Sequence, residues 1–251
     1  MEDRFFDSNG VRIHYVDEGE GDPIVLVHGF AASLQGNWVA AGWFDTLRPL
    51  RRIIALDCRG HGLSDKPHES SHYAMDEMAG DIARLMDHLS IGRADLFGYS
   101  MGGAISIRAM VRYPDRFRTV TLGGVGNLAA GRRGRPGIAA ALRASDRSAV
   151  TDAVGRGFRQ FAERVGNNDL EALAAMQSAE RGTIDPSALA NNELPVLIVV
   201  GEKDAIVGDS DKLAAAINGA RLVTIPGKDH LTVVPDQRFK DEVVSFLQEP
   251  R

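Results

Sequence analysis

Ala94-Asp95-Leu96-Phe97-Gly98-Tyr99-Ser100-Met101-Gly102-Gly103 decides the fold. Ala94–Phe97 reads as a short buried strand, and a helical pattern runs from Met101 to about Tyr113. A strand that passes straight into a helix through Gly-x-Ser-x-Gly must make a sharp corner, with glycines allowing the tight turn and the Ser100 hydroxyl at its tip. In a chain with 27 glycines the five-residue pattern carries little weight alone. The strand before it and the helix after it make it informative.

The same rhythm extends in both directions. Ile24–Val27, Ile53–Leu56, Thr119–Leu122, Pro195–Val200 and Arg221–Ile225 are short apolar runs separated by stretches of helical period. Such runs describe parallel strands buried on both faces. Met75, Met78, Ile82, Leu85, Met86 and Leu89 form one helical stripe, and Phe239, Val243, Phe246 and Leu247 form another; both are predicted to be core. Near the start, Asp3–Asp7 and Val11–Val16 flank Ser8-Asn9-Gly10, a strong hairpin signal. The predicted fold is α/β, a mostly parallel doubly wound sheet begun by an antiparallel hairpin. From Gly123 to Leu194 no strand run appears, only Ala-rich helical stretches broken by glycines. Residues 1–122 and 195–251 are therefore expected to form one core, and 123–194 a small helical cap over its active edge.

Composition narrows the function. With 251 residues, 44% hydrophobic and 25% charged, the chain is not wholly disordered. A net charge of −5 is a poor match for nucleic acid. The lone cysteine, Cys58, excludes an intramolecular disulfide and a Cys-rich zinc site, and is expected to be a small structural hydrophobe. Met1-Glu2-Asp3-Arg4 opens no apolar leader, and Leu194–Val200 is too short to span a bilayer. The expectation is a soluble cytoplasmic protein with no membrane or nucleic-acid partner.

A serine is inert unless a base removes its proton. Of seven histidines, His14 falls on the hairpin, His88 on a helix, His68 and His72 in a polar loop, and His28 and His61 beside glycines in corner loops. His230 lies just beyond the last predicted strand, where catalytic groups of open α/β sheets gather. The base in turn needs a carboxylate to fix its tautomer. Asp204, in Gly201-Glu202-Lys203-Asp204 after strand Pro195–Val200, is the favoured acid, with Glu202, Asp209 and Asp211 as rivals. Asp229 is expected to face solvent, and Gly123-Gly124-Val125-Gly126-Asn127 after the preceding strand offers no carboxylate. An oxyanion needs two preorganised donors, and the backbone N–H groups of Met101 and Phe30 are the candidates.

His28-Gly29-Phe30, the run from Asp57 to Asp65, Gly98–Gly103, Gly201–Asp204 and Asp229-His230 together resemble the α/β-hydrolase fold family over nearly the whole chain. That resemblance implies a Ser100–Asp204–His230 triad, no cofactor or metal, and hydrolysis of an ester or related acyl bond through an acyl-enzyme. Haloalkane dehalogenases and epoxide hydrolases of this fold carry an aspartate nucleophile, and Ser100 argues against both. Two departures stand out: Gly208 where relatives often have proline, and Lys228-Asp229 in place of small residues before the histidine. The expected activity is a serine esterase, monomeric or homodimeric, acting on small to medium carboxylic esters. Lactonase, perhydrolase and C–C bond hydrolase share the triad, and a non-catalytic ligand receptor shares the fold.

Four further patterns carry rival readings. His68-Glu69-Ser70-Ser71-His72 matches a zinc-protease signature, but Pro67 and two serines argue for a loop rather than the helix that chemistry requires. Gly124-x-Gly126-x-x-Ala129 mimics a dinucleotide fingerprint, which Gly131-Arg132-Arg133-Gly134-Arg135-Pro136 breaks. Arg132, Arg133, Arg135, Arg143, Arg147, Arg156 and Arg159, against Asp146 and Asp152, read as a solvated helix surface or as a basic mouth favouring anionic or polar esters. Phe30, Trp38, Phe158 and Phe161 are candidates for an apolar acyl pocket, or plain core.

Overall fold

The computed structural model describes residues 1–126 and 135–250. Strands β1 (Arg4–Ser8) and β2 (Val11–Glu18) form the expected hairpin. Its two turn residues, Asn9 (φ 55°) and Gly10 (φ 79°), are both left-handed, as a two-residue primed turn requires. There follow β3 (Pro23–Val27), α1 (Trp43–Leu47), β4 (Arg52–Leu56), α2 (Met75–His88), β5 (Ala94–Tyr99), α3 (Met101–Arg112) and β6 (Phe117–Gly123). After β6 the described residues form four α-helices before the next strand: α4 (Pro136–Arg143), α5 (Ala153–Val165), α6 (Leu170–Ser178) and α7 (Pro186–Ala190). The chain closes with β7 (Val196–Gly201), α8 (Ser210–Ala216), β8 (Ala220–Ile225) and α9 (Gln237–Gln248).

The eight strands form one sheet in the order β1-β2-β4-β3-β5-β6-β7-β8. β2 runs against both its neighbours, and the remaining pairings are parallel. From β3 the chain moves outward to β4, then crosses back to place β5 on the other side of β3. Ligand sites of open α/β sheets form at such a reversal, outside the carboxyl ends of the two strands. Here those ends lead into His28-Gly29-Phe30 and into Ser100.

The inner strands read as apolar runs because both faces are covered. Val25 and Val27 pack with α2 and α3 residues such as Ile82, Met86 and Ile105. Ile24 and Leu26, one residue out of phase, pack on the other face with Trp38, Trp43 and Phe239. The stripe residues Met78, Ile82, Leu85 and Met86 are buried, as are all four of Phe239, Val243, Phe246 and Leu247. Helix starts follow local chemistry too: Asp152, Asp169, Asp185, Asp209 and Asp236 each accept a backbone N–H at the N-cap of α5 to α9.

Of the two roles open to Trp38, acyl pocket or plain core, its position is that of core, away from the cavity beside Ser100. Trp38 is fully buried on the α1/α9 side of the sheet, with its ring 4.7 Å from Phe97 and 6.1 Å from Trp43. Cys58 is buried, and that burial pushes its thiol well above the ordinary value. Among the described residues, no helix is long and apolar enough to cross a membrane.

Candidate active site

Ser100 sits between the last residue of β5 and the first of α3 with φ 54° and ψ −111°. The left-handed conformation falls on the serine itself. Gly98 and Gly102 are required for a different reason than turn flexibility. A Cβ on Gly98 would strike the Gly102 carbonyl and Ser106 Oγ, and one on Gly102 would strike the Val27 carbonyl. The small residues thus let the first turn of α3 settle directly on β5 and the end of β3. The Ser100 N–H donates to the Gly123 carbonyl at 2.7 Å, tying the corner to β6.

His230 Nε2 lies 2.9 Å from Ser100 Oγ, and His230 Nδ1 lies 2.6 Å from Asp204 Oδ2. A carboxylate can only accept, so Nδ1 carries the proton and Nε2 is free to accept from the serine hydroxyl. The Asp204 side chain is fully buried, and its Oδ1 accepts the N–H groups of Ile206 (2.9 Å) and Val207 (3.3 Å). The rival acids go elsewhere. Glu202 accepts from the Gly227 N–H, Asp209 from the Lys212 N–H, and Asp211 lies in the first turn of α8. Asp229 is exposed and accepts the N–H groups of Leu231 and Thr232.

Both departures from the family pattern have a local explanation. Gly208 has φ 77°, a conformation closed to proline. Lys228 pairs with Asp236 at 2.8 Å, and the Lys203 N–H donates to the Lys228 carbonyl, so the acid and histidine loops are stitched together.

Met101 and Phe30 flank Ser100 in the wall of one cavity, and among the described residues neither backbone N–H donates to a protein acceptor. The loop bearing Phe30 is held by Asn37, which the sequence did not single out, and by Asp57 and His61 of the Asp57–Asp65 run. Asn37 Oδ1 accepts the Gly29 N–H, His61 Nε2 the Ala31 N–H, and Asp57 Oδ1 the Leu34 N–H. Burial works to raise the Asp57 carboxyl, yet the His14 hydrogen bond and the N–H groups of Leu34 and Leu63 hold it at about 2. Burial, reinforced by neighbouring His28, pulls His61 down to about 3. His28 is lowered by burial as well.

The cavity has a volume of about 130 Å³ and is largely apolar, with Met75, Met78, Val125, Ile138 and Met176 among its walls. Phe30 and Phe158 line it, with their rings 5.7 Å apart. Phe161, the other aromatic expected there, is not a wall residue; it is half-buried against the core with Arg164 5.9 Å from its ring.

With this geometry in view, relatives are informative. Residues 22–142 match the family model for the alpha/beta hydrolase fold. A hydrolase of Pseudomonas aeruginosa PA01 superposes with a TM-score of 0.81 at 26% identity, covering 98% of each chain. The chain belongs to the α/β-hydrolase fold superfamily. The enol-lactonase of Burkholderia xenovorans LB400 superposes with a TM-score of 0.79 at 27% identity, over 98% of this chain and 100% of that one. 2-Hydroxymuconate semialdehyde hydrolase of Pseudomonas putida is 28% identical over 263 residues, 96% of this chain and 92% of its own. Matches to the first three curated relatives span 41%, 64% and 42% of those proteins' lengths.

In this α/β-hydrolase fold protein the other sequence patterns find different uses. His68 leads into a short 3₁₀ turn, Ser70–Tyr73, and pairs with Asp169 at 2.9 Å. Among the described residues no cluster of three or more His, Cys, Asp or Glu is arranged to hold a metal ion. The dinucleotide-like run falls partly outside the described residues, as do Gly131, Arg132, Arg133 and Gly134. Arg143 pairs with Glu171, Arg147 and Arg159 pair with Glu163, and Arg156 donates to the Val150 carbonyl. Arg135 alone of the predicted arginines in the described residues lines the cavity, joined by Arg181 and Gln177, which the sequence reading passed over. Tyr99 was also passed over, although it adjoins Ser100: its hydroxyl donates to the His230 carbonyl.

Proposed function

We propose that the chain is a serine hydrolase that cleaves small to medium carboxylic esters through an acyl-enzyme. One observation carries the reading. Ser100, His230 and Asp204 form a continuous hydrogen-bonded line of 2.9 and 2.6 Å beside two backbone N–H groups that have no protein acceptor among the described residues. Ser100 Oγ attacks the ester carbonyl carbon while its proton passes to His230 Nε2. Asp204 stabilises the imidazolium that results. The N–H groups of Phe30 and Met101 hold the carbonyl oxygen as it becomes an oxyanion. Collapse of the tetrahedral intermediate expels the alcohol, which takes the proton from Nε2. Water, deprotonated by the same nitrogen, then releases the acid and restores Ser100.

A volume of about 130 Å³ is close to the ~150 Å³ of cavities that take up a benzene ring, which favours a small acyl group. Residues 123–194 act in this reading as a cap: Arg135, Ile138, Phe158, Met176, Gln177 and Arg181 supply one side of the cavity, and Ser100 and Met101 the other. Lactone or C–C bond hydrolysis is the second reading, favoured by the enol-lactonase and the semialdehyde hydrolase among the relatives.

A p-nitrophenyl ester panel of graded acyl length, run beside a lactone and a dienone, tests both. Short esters should be turned over repeatedly, with a fluorophosphonate labelling the native chain and sparing Ser100→Ala. Labelling that survives Ser100→Ala, or a single turnover without release, would overturn the reading.

A further inference from the structure

Among the described residues, the cavity beside Ser100 is lined by two positive charges and no negative one. Arg135 and Arg181 both line it, and no Asp or Glu does so among the described residues. The eight residues before Arg135, Asn127 to Gly134, contain no Asp or Glu in sequence either, but do contain Arg132 and Arg133. Neither Arg135 nor Arg181 has a carboxylate partner among the described residues, whereas Arg143, Arg147 and Arg159 of the same helical segment all do. Arg181 is half-buried, and among the described residues the one acceptor of its guanidinium is Gln177 Oε1 at 3.4 Å. The same oxygen accepts the Arg135 backbone N–H at 3.3 Å, so Gln177 draws both residues to one place. The loop is also anchored from below: Arg108 donates to the carbonyls of Arg181 and Thr183.

A guanidinium carries five donors in a rigid fork, and removing it from water without an anion is costly. Burial first, and then the charge of Arg135, pull the Arg181 guanidinium below its ordinary value. Two cations that repel each other in a largely apolar cavity are balanced when an anion enters between them. A carboxylate matches the fork bidentately, and its slender hydrocarbon body suits the Met, Val and Ile walls.

We propose that Arg135 and Arg181 form an anion subsite that selects esters or lactones bearing a free carboxylate, in addition to the bond that Ser100 attacks. The site deepens the serine-hydrolase reading and rests on it for turnover, but not for binding. Both arginines are specificity-determining residues; neither is assigned a part in the proton transfers.

Two matched substrate pairs test the subsite from either side of the scissile bond. One is p-nitrophenyl hydrogen glutarate against p-nitrophenyl methyl glutarate, the other 4-acetoxybenzoate against its methyl ester. In at least one pair the charged member should have a kcat/KM about 10- to 100-fold higher, the scale of a charge-assisted hydrogen bond. Arg181→Gln should abolish that ratio, chiefly through KM, and Arg181→Lys should restore part of it. Equal or better use of the neutral member in both pairs overturns the subsite, as does a preference that survives Arg181→Gln. Calorimetry with glutarate and with benzoate separates the two readings. If no ester is turned over, the hydrolase reading fails, while binding that weakens tenfold or more in Arg181→Gln still supports the anion site. Absence of binding by both anions to the native protein rejects it.

Discussion

The Tyr99 hydroxyl donates to the backbone carbonyl of His230, so the residue that precedes Ser100 on β5 also holds the loop that carries its base. Tyr99 is buried, and the same burial pushes its hydroxyl well above the ordinary value, keeping it a proton donor. Its ring further occupies the space beside Gly123 and Gly124, where any Cβ would strike it.

Tyr99→Phe removes this one hydrogen bond and little volume. The half-buried His230 carbonyl loses its partner, which should cost about 1 kcal/mol of stability. His230 is then held less firmly at 2.9 Å from Ser100 Oγ, so kcat should fall several-fold with KM nearly constant. Steady-state kinetics and urea denaturation read the two effects separately. A fall in KM affinity with kcat intact would assign Tyr99 to substrate binding instead.

Ser100 stores backbone strain that only its side chain justifies. At φ 54° and ψ −111° a residue with a Cβ is strained, and glycine is not. Ser100→Ala and Ser100→Gly should both abolish ester turnover, but only the glycine variant should gain stability, on the order of 1 kcal/mol. For a chain of this length that is a melting-temperature rise of roughly 2–4 °C. Identical melting temperatures for the two variants would contradict the strain.

Much of this architecture was legible in sequence because the physics acted locally. β3 and β7 are covered on both faces, so each wrote a continuous apolar run. The corner at Ser100 announced itself because close approach at Gly98 and Gly102 tolerates no other residue. Trp38 and Phe30 could not be told apart in this way. Both are buried aromatics eight residues apart, and which side of the sheet each serves depends on partners such as Phe97 and Phe158. Arg181 was invisible for a related reason: an arginine shows its lack of a carboxylate only once its neighbours in space are known. Asn37 and His61 likewise act through single backbone N–H groups 8 and 30 residues away.

Stability should fall in mild acid because two histidines beneath the Phe30 loop are built to stay neutral. His61 Nε2 accepts the Ala31 N–H and His28 Nε2 accepts the Cys58 N–H, so protonation would set donor against donor. His61 is held at about 3, below the 6.5 of an unfolded histidine. The unfolded chain therefore takes up the proton first. The contribution of His61 is complete above about pH 6.5 and is lost as pH falls toward 3, at up to ~1.4 kcal/mol per pH unit. His28, also lowered, acts in the same direction. His14 opposes them: burial lowers it, but Asp57 and Asp3 raise it overall, so its contribution is present below pH 6.5 and lost above. The two lowered groups outweigh the one raised. Urea midpoints at pH 7.5, 6 and 5 should decline, and His61→Gln, whose amide oxygen can still accept from Ala31, should show a shallower decline. An unchanged slope in that variant would count against His61.

Asp204→Asn separates orientation from charge at the base. The aspartate uses Oδ1 for the Ile206 and Val207 N–H groups and Oδ2 for His230 Nδ1. An asparagine keeps its carbonyl oxygen on the two backbone donors, since turning it away would strand them. Its NH₂ then faces Nδ1 and can only donate, which forces the imidazole proton onto Nε2. With Nε2–H pointing at Ser100 Oγ there is no acceptor for the serine proton. Folding should be nearly unaffected while kcat drops on the order of 10⁴-fold, the scale seen when a triad histidine is locked in the wrong tautomer. The variant's circular dichroism and melting temperature, measured with its kcat, decide the matter. A loss of less than tenfold in a folded protein would mean that Asp204 does not set the tautomer of His230.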